Sequence, residues 1–556
     1  MRSLGLKSAV AGVLISSMSC NLPMIHEANV PADIVIAATT DVHGYLRGWD
    51  YYANAPDTLR GLSRAATIID SLRRVSRIWP VLVDAGDFLQ GNPLTYVAAR
   101  VDSTMPHPVV AAMNAMRYDI GVVGNHEFNY GLPTLDRILR QTRFPVLAAN
   151  VFTPDGEPKF RPWAFTIRNG NVKIALIGAT TPGAMVWDHD NLNGRLEIRD
   201  PIASVRQAVR ESHDAGAAIT VVVIHSGLNE PSSYDTISTK VPSENVAARL
   251  AREVPGVDVI VYGHSHKEMA DTVIGSTLLM QPKNWATSVA IAHVIVQKQN
   301  GRWRVTSKRS SIVQAVHHKE SVDVLGATEE GHRAAQNYVR TTIGTTASAW
   351  RADSSRVIDS PLTDFLLEVE RSVTGAQLAS TPMFSLNASL AAGPITVARI
   401  AALYPYDNTL RVVKVNGAQL RSYLEYSARY FKSTPTGPQI DQSIPGYNYD
   451  MLAGVDYVID VSKPIGERIT QLDFQGRAVT PADTFTLALN NYRQTGGGGY
   501  SMLRDAPVVQ DRQLEIRQLL IDEVRKRGAI KPSDYFHQNW RIVPASAIPG
   551  LLKTQK

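Results

Sequence analysis

Five segments of the chain combine residue types that bind cations: Asp41-Val42-His43, Gly86-Asp87, Gly124-Asn125-His126-Glu127, His225 and Gly263-His264-Ser265-His266. An Asp-x-His pair leaving a strand puts a carboxylate and an imidazole on one side of the chain, because alternate residues share a face. Glycine before Asp87, Asn125 and His264 lets the backbone turn sharply and leaves room around an ion. Carboxylate and amide oxygens joined by imidazoles, with no sulfur, suit manganese, iron or zinc and differ from a closed structural zinc site. Each piece alone is a weak signal, whereas all five in this order, each after an expected strand, point to a metal centre that does chemistry.

Those residues need a scaffold that delivers them to one place. From Asp33 to about Val305, short β-branched runs alternate with longer helical patterns, which indicates a sheet layered with helices, an α/β unit. The runs are Ile34–Ile36, Val81–Val83, Ile120–Val123, Ile174–Ile177, Val221–Ile224 and Val257–Val261. Nearly all are followed at once by the polar residues above, so these should gather on one rim of the sheet, at the carboxyl ends of its strands. The first domain is placed at 31–320 and a polar connecting helix at 321–343, with Glu329, Glu330, His332 and Arg333. A second, α+β unit follows over 344–545, with a helix expected at Pro361–Val373 and strands at Leu410–Val415 and Phe485–Leu489.

With 556 residues, 44% of them hydrophobic and 19% charged, the chain can bury more than one core. The formal charge of +6 arises from 57 Lys and Arg scattered among 51 Asp and Glu, with no basic arm or helix, so no nucleic-acid partner is expected. Residues 1–20 carry Arg2 and Lys7, an apolar run from Ala9 to Ile15, then Ser19 and Cys20, which is the grammar of an export signal. Export to the periplasm or cell surface is the expectation, with membrane attachment only through a lipid on Cys20, which falls where a bacterial lipoprotein signal is cut and acylated. Cys20 is the single cysteine, so any metal past it must use His, Asp, Glu or Asn.

In these motifs the chain resembles the calcineurin-like metallophosphoesterases, and within them the 5'-nucleotidase family, over nearly the whole chain beyond the leader. The resemblance implies an N-terminal layered β-sandwich flanked by helices and a C-terminal α+β substrate domain. It also implies two divalent ions, one held by Asp41, His43, Asp87 and His266, the other by Asp87, Asn125, His225 and His264, with Asp87 bridging. His126 would sit beside the ions and stabilise developing charge or the leaving oxygen. Where 5'-nucleotidases place an Asp to orient that His, this chain has Asn129. The run Gly124–Gly131, GNHEFNYG, looks like the branch of 2',3'-cyclic-nucleotide 2'-phosphodiesterase/3'-nucleotidases. An amide can hold an imidazole through a hydrogen bond but cannot stabilise imidazolium as a carboxylate does.

The same branch is echoed by Leu403–Leu410, Tyr447–Asp450 and Asn490–Arg493 ahead of Gly496–Gly499. The resemblance puts Tyr406 and Tyr492 on the two faces of a nucleobase and Asn408 at its edge; stacking of this kind contributes about 1–3 kcal/mol and tolerates any base. The arginines that 5'-nucleotidases carry in a Gly-rich loop have no counterpart in Thr381–Gly393, and the acid expected before the final Tyr is replaced by Gly498. The expected activity is hydrolysis of small-molecule nucleotides, opening 2',3'-cyclic nucleotides and dephosphorylating the 3'-products. The alternatives are a 5'-nucleotidase or nucleotide-sugar hydrolase, and a surface nucleotide-binding protein that has lost its chemistry.

Overall fold

A computed structural model describes residues 30–75, 79–169, 171–234, 236–406, 408–435 and 437–555. The expected export signal, Cys20 included, lies outside the described residues. The central strands of the N-terminal half are apolar on both faces, and the structure covers both. The N-terminal strands divide between two stacked six-stranded sheets, the layered β-sandwich that the resemblance implied, where the run of strands by itself indicated only a sheet layered with helices. The first sheet runs, in spatial order, Arg302–Gln314, Ser288–Gln299, Ala32–Thr39, Val81–Asp84, Ile120–Val122 and Val146–Leu147. The second runs Met269–Ile274, Thr277–Gln281, Val259–Tyr262, Ile219–His225, Val172–Thr180 and Trp163–Arg168. Pairing is parallel between the strands that precede the motifs and antiparallel at three of the four edges, the strand Val146–Leu147 being parallel to its neighbour.

The period of two along each strand sorts its side chains into layers. Ile34, Ile36 and Ala38 meet Val221, Val223, Val259 and Val261 between the sheets. Their neighbours Val35, Ala37 and Leu82 face outward onto Leu62–Val75 and Pro108–Met116. On the other side Val222, Ile224, Ile260 and Tyr262 lie under Pro201–Asp214 and Ala247–Glu253. Each such side chain, fully buried, contributes about 1.5–3 kcal/mol. The carboxyl ends of the central strands of both sheets open on one edge of this sandwich, and the motifs sit there.

Residues 321–343, expected as one connecting helix, carry two, Val322–Ala327 and Glu329–Arg340, and Ile343 already belongs to a strand, Thr342–Thr346. The break falls at Thr328, whose hydroxyl bonds back to the Val324 carbonyl at 2.8 Å. Glu329 ties the second helix to Arg47 of the sandwich at 2.9 Å, and Tyr338 accepts from Arg525 of the C-terminal half at 3.1 Å. Beyond it, a five-stranded sheet is ordered Asp450–Ala453, Leu378–Pro382, Thr484–Asn490, Thr409–Asn416, Val508–Glu515. Helix Pro361–Thr374 packs on it, started by the Ser360 hydroxyl and Pro361 and stopped by Gly375 at φ +69°.

Candidate functional site

All seven residues read as ligands converge on the exposed edge of the sandwich. His43 Nε2 and His266 Nε2 lie 3.1 Å apart, and His266 Nε2 is 3.3 Å from Asp41 Oδ1. Beside them, His225 Nε2 lies 2.9 Å from Asp87 Oδ2 and 3.1 Å from Asn125 Oδ1. Asp87, His225 and His264 form a second donor group, and Asp87 also groups with His43 and His126. Donors about 3 Å apart are what bonds of about 2.0–2.2 Å to a shared ion require, and a set of O and N atoms without sulfur fits divalent cations.

The second nitrogen of three of these imidazoles is already engaged, which fixes the atom each can offer. His43 Nδ1 faces the Gln90 carbonyl at 2.7 Å and His225 Nδ1 the Ala85 carbonyl at 2.8 Å, leaving Nε2 inward. His264 is reversed: its Nε2 meets Glu244 Oε1 at 2.8 Å and its ring stacks on Trp187, with centroids 5.4 Å apart. Neither Glu244 nor Trp187 was singled out from sequence, since loops without motif spacing deliver them.

Backbone strain is concentrated here. Asp41 (φ +48°), His43 (+47°), Asp87 (+59°), His264 (+70°) and His266 (+53°) all take left-handed conformations. Each costs about 1–3 kcal/mol and persists only where the surroundings over-determine it. The restraint is visible: Asp41 and His43 donate their N–H to the carbonyls of Gly86 and Asp87, both at 2.9 Å. Glu127 accepts from the N–H of Asp87, Phe88, Leu89 and Gly124 at 2.6–3.0 Å, clamping two of the loops together. Gly86, at φ +96°, also makes room, for a Cβ there would stand 2.9 Å from His225 Nδ1.

The electrostatics follow from burial and crowding. Burial would raise the Asp87 carboxyl, but His225 and His126 hold it well below the usual carboxylate range. Burial likewise opposes Asp41 ionisation, and the hydrogen bond and charge of His266 outweigh it. His225 shows the reverse balance, burial disfavouring imidazolium and Asp87 lifting its pKa to about 10. Burial, seconded by His126, takes His43 down to about 4.

His126 stands at the inner end of this group, its ring centroid 5.1 Å from that of His43 and its N–H bonded to Asp87 Oδ1 at 2.8 Å. Its Nδ1 lies 2.6 Å from Asn129 Oδ1, so the amide occupies the orienting place expected for it. Asn129 and Trp187 line a cleft of 710 Å³ whose far wall is strand Val508–Glu515 of the C-terminal half. Gln90 bonds Glu515 across it, and Arg512 pairs with Asp190.

Tyr406, Asn408 and Tyr492 are not among the residues lining that cleft. They sit on the C-terminal half, the two tyrosines 45% and 46% exposed while Tyr449 and Tyr500 are buried in packing. Phe384 touches Tyr406 with centroids 5.1 Å apart, so the loop that lacks arginines supplies an aromatic instead. Asn408 donates to the Tyr404 hydroxyl at 3.4 Å. Under the platform Arg493 and Asp450, both fully buried, form a two-pronged ion pair at 2.7 Å. The same guanidinium reaches the carbonyls of Tyr447 and Gly497, tying down the loops on either side. A Cβ on Gly498 would fall 2.5 Å from that guanidinium, which leaves no room for the acid expected there.

Residues 34–268 match the family model of calcineurin-like phosphoesterases, and residues 342–505 match that of the 5'-nucleotidase C-terminal domain. The 2',3'-cyclic-nucleotide 2'-phosphodiesterase/3'-nucleotidase of Haemophilus influenzae is 31% identical, over 96% of this chain and 91% of that protein. The trifunctional nucleotide phosphoesterase protein YfkN of Bacillus subtilis is 29% identical over 96% of this chain, which spans only 41% of that protein's length. Among solved structures, the NAD nucleotidase NadN of Haemophilus influenzae superposes with a TM-score of 0.65 at 16% identity, covering 92% of this chain and 99% of that one, a likeness of fold.

Proposed function

This chain belongs to the calcineurin-like phosphoesterases of the 5'-nucleotidase family, and from that premise we propose that it opens 2',3'-cyclic nucleotides to 3'-nucleotides and dephosphorylates these to nucleosides. The observation that carries the reading is the meeting, at Asp87, of two donor groups on the edge of a cleft. Asp41, His43, Asp87 and His266 would hold one divalent ion, and Asp87, Asn125, His225 and His264 the other. Two such ions supply Lewis-acid charge to a phosphoryl group and acidify water beside it. Glu127 and the inward-turned imidazoles keep this cage in register, so little reorganisation is left for the reaction itself. His126, its Nδ1–H bonded to Asn129, would turn a second proton, on Nε2, toward the reacting phosphate to neutralise a non-bridging oxygen or protonate the leaving one.

Tyr406 and Tyr492 would stack the base, with Asn408 at its edge. Since these do not line the cleft beside Asn129 and Trp187, the C-terminal domain would turn on 321–343 to deliver the substrate; scattering profiles unchanged by a bound analogue would count against that motion. Export belongs to the same reading and rests on the Arg2–Cys20 pattern. Among the described residues no helix is long and apolar enough to cross a membrane. The decisive assay is a panel on manganese-loaded protein. Turnover of 2',3'-cyclic AMP and 3'-AMP should exceed that of 5'-AMP, and the opposite order would make the protein a 5'-nucleotidase or nucleotide-sugar hydrolase.

A further inference from the structure

The amide at position 129 creates a problem that an aspartate would not have. A carboxylate accepts from any donor, whereas an amide presents oxygen on one side and NH2 on the other and must be held the right way round. If Asn129 turned over, its NH2 would face His126 Nδ1, and the imidazole would have to offer that nitrogen as acceptor, leaving the proton on Nε2. The amide does not turn over: Asn129 Nδ2 donates to Asp188 Oδ2 at 2.7 Å. Asp188 is buried, and its other oxygen accepts from Asn191 Nδ2 at 3.1 Å. Asn191 in turn gives its second hydrogen to the Phe128 carbonyl, also at 3.1 Å, so the 126–129 turn and the 188–191 turn are stitched together.

We propose that Asp188 is a positioning residue for catalysis, fixing the Asn129 amide so that His126 keeps a proton on Nδ1 and is free to give one from Nε2 to the substrate. The sequence of bonds is directional, from His126 Nδ1–H to Asn129 oxygen, then from Asn129 NH2 to the Asp188 carboxylate. A carboxylate is thereby returned to the imidazole at one remove, in place of the directly attached one that this chain lacks. The assignment rests on the reading of His126 given above and adds a residue to it.

The arrangement makes a prediction that simple packing does not. In Asp188→Asn only one of the two side-chain atoms at 188 can accept, so Asn129 or Asn191 is left donor to donor. Moving the acid instead, in the double variant Asn129→Asp/Asp188→Asn, satisfies every bond. His126 Nδ1–H and the new amide at position 188 then both donate to the new carboxylate at position 129, and Asn191 donates to the amide oxygen at 188. Asp188→Asn should lower kcat on 2',3'-cyclic AMP by about 10- to 100-fold with KM changed less than about twofold. Asn129→Asp alone, which sets carboxylate against carboxylate, should be at least as poor, and the double variant should recover to within about fivefold of the parent. A packing role for residue 188 predicts no recovery, since both variants carry asparagine there. Undiminished kcat in Asp188→Asn, or a double variant no better than it, would overturn the proposal.

Nitrogen-15 spectra of histidine-labelled, zinc-loaded protein give a second reading that does not depend on turnover. The ring of His126 should keep Nδ1 protonated throughout the parent population and lose that proton in part of the Asp188→Asn population. A parent ring protonated on Nε2 alone, with Nδ1 bare, overturns the relay even if nucleotides are cleaved. The expected spectrum without nucleotide turnover would instead fault the proposed activity.

Discussion

The two halves of the proposed site solve different problems in different ways. At the edge of the sandwich the donors are mostly buried, take left-handed backbone at five positions, and have their outward atoms spoken for by Gln90, Ala85, Glu244 and Asn129. On the C-terminal half Tyr406 and Tyr492 are half exposed, and rigidity is moved one layer down, to Arg493 and Asp450. Two cations admit one geometry within tenths of an ångström, so the cage is over-determined. A flat base tolerates sliding on an aromatic face, so the platform needs only its loops fixed. Mutations should therefore fall steeply on the first region and shallowly on the second.

The sharpest break should come from Asp87→Ala. Its Oδ2 meets His225 and its Oδ1 takes the His126 backbone N–H, so removal empties the position proposed to bridge the two ions and unfastens His126. A loss of about a thousandfold or more in kcat is expected, with ion content falling from two toward one by elemental analysis. Surviving turnover would remove Asp87 from the bridging place. Glu244→Gln is the milder probe of the same cage. An amide cannot hold His264 Nε2–H as a carboxylate does, and ion affinity should weaken about 10- to 100-fold by titration while the fold stays intact.

Tyr492→Ala and Tyr406→Ala test the other side of the contrast. Each should raise KM by about tenfold, for adenine and uracil substrates alike, and leave ion content unchanged, because stacking contributes about 1–3 kcal/mol whatever the base. A fall in kcat at unaltered KM would mean that the tyrosines act in the cage and that the two regions are not separate.

This division also explains what was legible in the sequence. The cage residues announce themselves because three strand exits carry two or three unusual residues in short order, with Asp87 and His225 standing singly at strand ends in the same series, and all seven are found together. That the strands form two sheets is hidden: runs apolar on both faces mark strands covered on both sides, without saying by what. Glu244 and Asp188 are hidden for another reason. Glu244 lies 20 residues before His264 and Asp188 lies 59 after Asn129, each in a loop of ordinary composition, and only folding gives them their partners. On the platform, Tyr406 and Tyr492 were visible through the family's motif, whereas the anchoring of Arg493 on Asp450 is a core property that no local pattern expresses. The break at Thr328 was signalled by Gly326, Thr328 and Gly331, all poor helix formers, and escaped because the stretch is polar and carries no strand signal to set against a single helix.

The smallest expected effect is also the one whose sign is easiest to check. In protein stripped with EDTA, His225 is protonated against Asp87, with a pKa raised from 6.5 to about 10. A folded-state pKa above the unfolded one stabilises fully below about pH 6.5, and that contribution is lost as pH rises through 10. His43, lowered to about 4, is neutral when folded, and its unfolded imidazole loses its proton around pH 6.5, so its opposing slope is spent by about pH 7.5, above which the slopes are compared. In loaded protein the cation takes the place of the His225 proton, so protons compete with it and stability rises with pH instead. Melting temperatures between pH 7.5 and 9.5 should therefore fall with pH in EDTA and rise, or hold level, with manganese. Parallel slopes would show that no ion displaces the His225 proton, and the cage would then be no more than a cluster of buried charges like the one beneath the tyrosines.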